Sequence, residues 1–362
     1  MGLTVTIGSS VLRSRALAAL TSPHGVDRYL EQVNPMWAAH EVRARVVDVH
    51  REVDVPGHPP VATITLQPTS TWRGHRAGQH VQVGVEIDGS RRTNRVFTVS
   101  SPDSRNGDRF TITLRANPDG LVSRFLVERA EPGTMVHLSQ AEGDFVLPDH
   151  VPDHVVFISG GSGITPVMSM LRSLQRRTHR GQVTFLHYAR SPEHQIFASE
   201  LDDIRRSGHG IDVHLLHPEL GDPALSPAWL ERLVPGYRDI PTWACGPAPL
   251  VEAVQAAYDG SDALRVEYFK PPRVSNGVAE GEVAFTRSGK AAANTGAALL
   301  EQAETLGLRP ESGCRMGICF SCVSRKTEGT VRNILTGETS SLPDEDIRIC
   351  VSAPEGDCVV EL

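Results

Sequence analysis

No stretch of this sequence approaches the ~20 apolar residues that cross a bilayer, so no transmembrane segment is expected within its 362 residues. Basic charge is scarce. With 36 Lys and Arg against 43 Asp and Glu the net charge is −7, and nucleic acid is not an expected partner, because a phosphate backbone is held by a basic patch. Six cysteines are too few for a disulfide scaffold in a chain of this size. The opening MGLTVTIGSSVLRSRALAALTS is partly apolar, but Arg13 and Arg15 interrupt it. Without an apolar h-region it does not read as a secretory signal, and a cytoplasmic chain is expected. What remains is ordinary for a globular protein: 40 % apolar and 22 % charged residues, in a length sufficient for two or three domains.

The few cysteines are grouped. ESGCRMGICFSC, residues 311–322, sets Cys314, Cys319 and Cys322 at C-x4-C-x2-C, and Cys350 follows after 27 intervening residues. Four thiolates can reach two irons from such a loop, and plant-type [2Fe–2S] ferredoxins carry this spacing. Gly313 and Gly317 permit a tight backbone whose amides can face sulfur. Structural zinc and packed, reduced thiols are the other readings, although zinc sites usually pair two short C-x2-C knuckles. Cys358, alternating with apolar neighbours in DCVVEL, reads as a buried strand thiol. Around the cysteines, GEVAFTRSGKAAA predicts a strand and turn. TGAALLEQAETLG predicts a helix stopped by Gly307, and SCVSRKTEGTVRN a hairpin. Strands are expected around Cys350 and Val359. Residues 281–362 thus resemble a plant-type ferredoxin of the β-grasp fold, and KPPRVSNGVAEG ahead of them reads as a linker, placed at residues 273–280.

DHVVFISGGSGITPVMSMLRSLQRR, residues 153–177, predicts a strand over 155–158, a turn through Gly160, Gly161 and Gly163, and a helix from near Pro166. Strand ends that open onto a helix N-terminus suit a phosphate or a nicotinamide edge. QVTFLHY, IDVHLL and TWACG repeat the strand at helix-length intervals, which predicts a doubly wound parallel sheet with ligands at the strands' carboxyl ends. GGSGITP and CGP resemble the nicotinamide domain of the ferredoxin–NADP reductase superfamily. That likeness marks Gly160, Gly161, Gly163, Thr165, Pro166, Cys245, Gly246 and Pro247 as coenzyme-binding. The strand ending LHYARSPEHQ has no acid at its tip to hold a ribose 2′-hydroxyl. Arg190 and Ser191 stand there instead, a pair suited to the 2′-phosphate of NADPH.

The superfamily places a flavin domain immediately upstream. Residues 41–148 are short alternating strands separated by Gly, Pro and Asp turns, as expected of an antiparallel β-barrel. RVFTVSS resembles the superfamily's R-x-Y-S/T flavin motif, which implies that Arg95 pairs with a flavin phosphate, Phe97 stacks on the isoalloxazine and Thr98 bonds its edge. Phe97 departs from tyrosine, keeping the stacking and losing the phenolic hydrogen bond. Gly120 and Ser123 of GLVSRFL match G-x-x-S at a helix N-terminus, which favours the pyrophosphate of FAD over FMN.

The resemblance implies hydride transfer from NADPH to FAD beside Cys245 of CGP, with Glu267 and Phe269 of RVEYFKPP as the acid and aromatic of the reaction site. Tyr268 is an alternative to Phe269. Single electrons would then leave through the [2Fe–2S] cluster. The order flavin, nicotinamide and iron–sulfur resembles oxygenase-type reductases. LTSPHGVDRYLEQVNPMW, residues 20–37, resembles the leader of actinobacterial reductases serving membrane-bound acyl-CoA desaturases. From the residues alone that segment is equally a clamp on the flavin domain. The expected organisation is leader or clamp 1–40, FAD barrel 41–148, nicotinamide domain 149–272, linker and ferredoxin domain. The expected partner is an iron-containing oxygenase or a membrane-bound desaturase, met in the cytoplasm or at the membrane edge. A haem (cytochrome P450) or Rieske oxygenase is the alternative acceptor, and a redox-sensing or scaffold role is the alternative of another class.

Overall fold

A computed structural model describes residues 25–362 apart from 88–91, 119, 209, 270–278, 314, 316, 318 and 319. Three sheets organise it, one for each expected domain type, and the chain divides into two compact units. The first comprises Met1–Ala244 and Gly260–Arg265, the second Cys245–Asp259 and Val266–Leu362.

The first unit begins with helix α1 (Val26–Val33). Asp27 is buried and accepts hydrogen bonds from the backbone N–H groups of Ala39 at 2.5 Å and His40 at 3.0 Å. Arg43, also buried, pairs with Glu31 at 2.8 Å. Asp27 closes the segment on itself, and Arg43 of the first strand holds it to the sheet through Glu31 and the Trp37 carbonyl, so residues 25–41 form a clamp on it.

That sheet has six antiparallel strands: β1 (Val42–Val53), β2 (Val61–Pro68), β3 (His80–Val85), β4 (Thr93–Thr98), β5 (Phe110–Arg115) and β6 (Met135–Leu138). Their order is β4-β3-β6-β1-β2-β5. The edge strands meet through a bridge between Val99 and Ile112 and a 2.8 Å bond from Ser100 N–H to the Thr111 carbonyl, which closes the barrel. Alternation fills it: Val81, Val83, Ile64, Leu66 and Ile112 are fully buried, with Trp72 stacked on Phe110 at 4.7 Å. Helix α2 (Leu121–Arg124) runs directly into a π-helical turn, Phe125–Arg129.

The second sheet comprises β7 (His154–Gly160), β8 (Gln182–Tyr188), β9 (Ile211–Leu216), β10 (Thr242–Gly246) and β11 (Leu264–Tyr268), in the order β11-β10-β7-β8-β9. β7, β8 and β9 are parallel. The intervening helices are α3 (Ile164–Arg176), α4 (Ala198–Ser207), α5 (Pro227–Leu233) and α6 (Ala248–Ala257). Near-continuous buried runs such as Val155–Ile158 are what a sheet covered on both faces requires. α3 starts at Ile164, two residues before the proline expected to open it.

In the second unit, β12 (Glu282–Phe285) and β13 (Lys290–Ala293) form a hairpin, and α7 (Leu299–Thr305) packs Leu299, Leu300 and Ala303 into the core of the third sheet. β14 (Val323–Asn333) pairs with β15 (Thr339–Ser340), β16 (Glu345–Arg348) and β17 (Ser352–Val360). β17 also pairs in parallel with β12. The topology is that of a helix held in a mixed sheet, as the β-grasp expectation requires.

Two expectations need correction. SCVSRKTEGTVRN is one strand rather than a hairpin. Gly329 has φ +93° at a register shift, where a Cβ would lie 2.1 Å from the Asp357 carbonyl oxygen, so the glycine serves a bulge and not a turn. Cys350 lies in the turn between β16 and β17, not in a strand. Cys358 is a buried strand thiol opposite Val283.

Candidate functional site

The barrel presents its flavin candidates on β4. Arg95 and Phe97 alternate onto one face, both half-buried, and Thr98 points to the other and is buried. Phe97 rests on the barrel core, and Arg95 Nη1 donates to the Asn94 carbonyl at 2.7 Å. Gly120 caps α2, with Ser123 on its first turns. The Ser123 hydroxyl is turned into its own loop: it accepts from Asn117 N–H at 3.1 Å and donates to the Gly120 carbonyl at 3.3 Å. The Ser123 hydroxyl therefore shapes the turn. Beside it a cavity of about 130 Å³ is lined by Ile87, Leu121, Arg124, Phe125, Glu128 and Arg129, residues that the motif reading did not single out. The π-helical turn sets this wall, a deformation that occurs frequently at functional sites.

β7 ends at Gly160, and a short turn over Gly161–Gly163 leads into α3. Gly161 has φ +53°, and nothing lies within 4 Å of where its Cβ would be, leaving open space beyond the strand end. Thr165 and Pro166 are buried in the first turn of α3, where the Thr165 hydroxyl donates to the Ser162 carbonyl at 3.1 Å. Beneath the turn, Ser159 Oγ meets His187 Nδ1 at 2.8 Å, and burial, then the neighbouring His217, push His187 down to about 3. At the carboxyl end of β8 the Tyr188 hydroxyl is buried without a hydrogen-bond partner among the described residues. Open space above a glycine turn beside an orphaned buried hydroxyl fits a bound coenzyme.

Arg190 and Ser191 follow that strand but do different things. The Ser191 hydroxyl contacts His194 Nδ1 at 2.8 Å. Arg190 is about half exposed, 2.9 Å from His58 Nδ1 and 3.8 Å from a Glu219 oxygen. His58 meets the His194 ring edge-on at 4.6 Å. Burial, then the Arg190 charge, lower the nearby Arg115 guanidinium below its ordinary value. Arg115 and Arg190 thus lie in one cluster with the His58 and His194 rings. Its members come from β5, the β1–β2 connection and the segment after β8, which is why only Arg190 was visible as a local signal.

The barrel and the glycine-turn helix α3 are bolted directly together. Arg172 Nη1 donates to the Ser100 carbonyl at 2.5 Å, its Nε and Nη2 grip Glu200 at 2.9 and 2.5 Å, and its guanidinium lies 4.4 Å from the Phe197 ring centre. Ser169 Oγ donates to the Ser101 carbonyl at 2.5 Å, and Ser173 Oγ accepts from Asp103 N–H at 3.0 Å. These bonds reach the residues immediately after the RVFT strand. Arg172→Ala is expected to slow NADPH reduction of the bound flavin by roughly tenfold, as a misplaced reacting pair would, with flavin content unchanged. Anaerobic stopped-flow absorbance at the flavin band measures it, and an unchanged rate would remove Arg172 from the positioning role.

In the second unit Cys245 and Glu267 come together. Cys245 is a free thiol, fully buried, and burial, then the Glu267 charge, push it well above its ordinary value. It is therefore a neutral thiol, not a thiolate. Glu267 is only partly buried as a residue, but its Oε2 is inaccessible and without a hydrogen-bond partner among the described residues, and burial raises its carboxyl to about 8. Gly246 ends β10, and Pro247 caps α6 with its carbonyl accepting from Leu250 N–H at 3.0 Å. Tyr268 donates its hydroxyl to Gln255 on α6 at 2.8 Å. Phe269 beside it is half-buried and is the last residue described before 279.

Of the four cluster cysteines, Cys314 and Cys319 lie outside the described residues. Cys322 and Cys350 are buried in one core with Leu299, Ile349 and Val351, and Ile349 N–H donates to the Cys322 carbonyl at 3.3 Å. The loop leading into Cys322 is shaped for close approach. Gly317 has φ +76°, and a Cβ there would lie 2.8 Å from Val351. Arg348 donates to the Gly317 carbonyl and stacks over the Phe320 ring at 5.0 Å, and Arg315 grips Glu304 of α7. Arg315 and Phe320 both have positive φ, at +59° and +55°, and such strain persists where surrounding structure holds it. Two buried thiols converging under a pinned, strained loop fit a cysteine-ligated cluster. The spacing did not reveal Arg348 or Glu304, because their bonds span 31 and 11 residues.

Comparison with known proteins matches residues 60–147 to an oxidoreductase FAD-binding domain, 157–256 to an oxidoreductase NAD-binding domain and 285–355 to a 2Fe-2S iron-sulfur cluster binding domain. An NADPH oxidoreductase of Mycobacterium tuberculosis is 36 % identical over 95 % of this chain and 90 % of its own length. A glycine betaine monooxygenase reductase subunit of Pseudomonas aeruginosa is 30 % identical over 79 % of this chain and 87 % of its own. The solved structure of a phthalate dioxygenase reductase shares the fold with a TM-score of 0.59 at 22 % identity, covering 88 % of this chain and 97 % of that one.

Proposed function

The chain belongs to the ferredoxin–NADP reductase superfamily, in the arrangement with FAD-binding, NAD-binding and [2Fe–2S] domains, and from that premise we propose that it is an NADPH-dependent reductase feeding single electrons to an iron-containing acceptor. When bound, FAD accepts a hydride from the nicotinamide, and the [2Fe–2S] cluster carries electrons onward singly. The residues supply placement. Phe97 and Arg95 offer a stacking face and a cation on β4, and Arg172 fixes the barrel against the glycine-turn helix. Glu267 holds a proton in a buried position, and Cys322 and Cys350 offer thiolate ligands from one core.

The observation that carries the coenzyme choice is the pair of arginines at this strand end, where the Arg190 charge adds to burial in lowering the Arg115 guanidinium. A 2′-phosphate relieves that repulsion and a ribose hydroxyl does not. Arg190→Ala is expected to raise the KM for NADPH about tenfold, the ~1.4 kcal/mol of one charge-assisted hydrogen bond, and to leave that for NADH nearly unchanged. Steady-state ferricyanide reduction with each coenzyme measures this, and a parent protein with equal kinetics on both would refute the assignment.

Among acceptors we favour a membrane-bound acyl-CoA desaturase, on the resemblance of the leader at residues 20–37. A Rieske-type oxygenase is the second reading, favoured by the relative named as a glycine betaine monooxygenase reductase subunit. Purified protein reduced anaerobically with NADPH, then mixed with desaturase-bearing membranes or with a soluble Rieske oxygenase, separates them. Acyl-CoA desaturation dependent on this protein supports the first, and turnover only with the Rieske oxygenase replaces it with the second. A protein without flavin and cluster absorbance would return the chain to a sensing or scaffold role.

A further inference from the structure

In the sequence no acid stands directly at the tip of β8, but the fold brings a carboxylate to each of the two residues assigned to the 2′-phosphate. Glu219, on the turn Pro218–Leu220 that follows β9, has an oxygen 3.8 Å from Arg190 Nε. Glu193 accepts from the Ser191 hydroxyl at 3.3 Å. Ser191 also contacts His194 Nδ1 at 2.8 Å. A hydroxyl has one proton, so both contacts hold when His194 donates to Ser191 and Ser191 donates to Glu193.

Neutral acceptors fix the arginines from the other side. Arg190 Nη1 donates to His58 Nδ1 at 2.9 Å, and Arg115 Nη1 donates to the carbonyl of Pro59, the next residue of the same connection, at 3.3 Å. A ring nitrogen and a carbonyl position the guanidinium groups without cancelling their charge. The Glu219 contact is different. At 3.8 Å it is an attraction between charges and not a hydrogen bond, and both side chains are more than half exposed. An incoming anion can displace such a pair at little cost.

We infer that Glu219 and Glu193 are specificity-determining residues: their carboxylates engage Arg190 and Ser191 and compete with the 2′-phosphate of NADPH, narrowing its advantage over NADH. The inference rests on the reading that Arg190 receives that phosphate. A doubly charged phosphate seated on Arg190 lies close to carboxylates of its own sign, which offsets part of the attraction it gains. A ribose 2′-hydroxyl carries no charge and escapes the offset. The two acids therefore act on the difference between the coenzymes.

The test uses the full-length holoprotein and calorimetric titration with 2′-phospho-AMP and with AMP, which differ only in that phosphate. At about 0.15 M salt, charges more than about 8 Å away are screened, so a general change in net charge contributes little. Glu219→Gln is expected to tighten 2′-phospho-AMP about threefold, and Glu193→Gln combined with it about fivefold. AMP should bind both variants as it binds the parent, and the kcat/KM ratio of NADPH to NADH should rise by the same factors. Arg190→Ala, titrated in parallel, separates the two possible failures. If it weakens 2′-phospho-AMP while the Gln variants bind like the parent, the inference is overturned and the coenzyme reading stands. If Arg190→Ala leaves 2′-phospho-AMP binding unchanged, both fall. Gln variants that tighten the two ligands alike, or that weaken 2′-phospho-AMP, would also overturn the inference, the last by showing that the acids support the arginine and do not compete for it.

Discussion

Replacing Cys350 by Ser is expected to strip the chain of its [2Fe–2S] cluster and to cut NADPH-driven reduction of the iron-containing acceptor by roughly 100-fold or more, while flavin content and NADPH–ferricyanide activity stay near parent levels. A serine hydroxyl differs from the cysteine thiol by one atom, but it does not offer iron a soft thiolate. Cys350 shares its core with Cys322, and Ile349, the residue between Arg348 and Cys350, donates to the Cys322 carbonyl. Loss of the ligand is therefore felt beside Cys322 as well. Iron and acid-labile sulfide per protein, with the visible spectrum, measure it. Cys358→Ala is the control, since Cys358 is also a buried thiol of this domain but lies on β17 opposite Val283. If both variants lose the cluster, general destabilisation explains the result. If Cys350→Ser keeps full occupancy, the ligand assignment is wrong.

The strands that the sequence predicts most sharply are those whose burial is simplest. QVTFLHY and IDVHLL coincide with β8 and β9 at both ends: β8 is a near-continuous buried run, as a parallel strand covered on two faces requires, and β9 at the sheet edge keeps Val213 and Leu216 buried between polar positions. TEGTVRN misled because a glycine with positive φ serves a turn and a bulge equally well. Only the approach of the Asp357 carbonyl distinguishes them, and that contact is 28 residues away. The same limit applies to the sites. Gly120, Gly161 and Cys245 carry local signatures, whereas Arg172 acts on a carbonyl 72 residues distant and Arg115 joins Arg190 from another domain. Hydroxyls carry a similar ambiguity: Ser123 and Ser191 match ligand motifs, and each also bonds within its own loop.

Glu267 carries the second large effect. Its carboxyl is held at about 8 by burial, against an ordinary 4.5, and its inaccessible Oε2 has no hydrogen-bond partner among the described residues. At neutral pH it is therefore a protonated acid, a donor kept next to the neutral Cys245 thiol. Groups tuned toward the working pH in this way cluster where protons or hydrogen bonds matter to the reaction. The rate of flavin reduction by NADPH is expected to fall as pH rises through about 8, when the buried carboxyl ionises, and Glu267→Ala should lower the neutral-pH rate on the order of 100-fold. Glu267→Gln keeps a donor but cannot ionise, so it should retain more activity and lose the inflection. Stability follows the same proton. Between about 4.5 and about 8 the folded chain holds a proton that the unfolded chain has released, so the folded state loses stability as pH rises across that window. The Gln variant, with no proton to lose, should show a flatter melting temperature from pH 5 to pH 8. The two readouts separate the possible failures. An inflection that persists in the Gln variant assigns the kinetic titration to another group, and a melting profile that stays parallel to the parent's means that Glu267 is ionised in the folded protein and is not the buried acid described here.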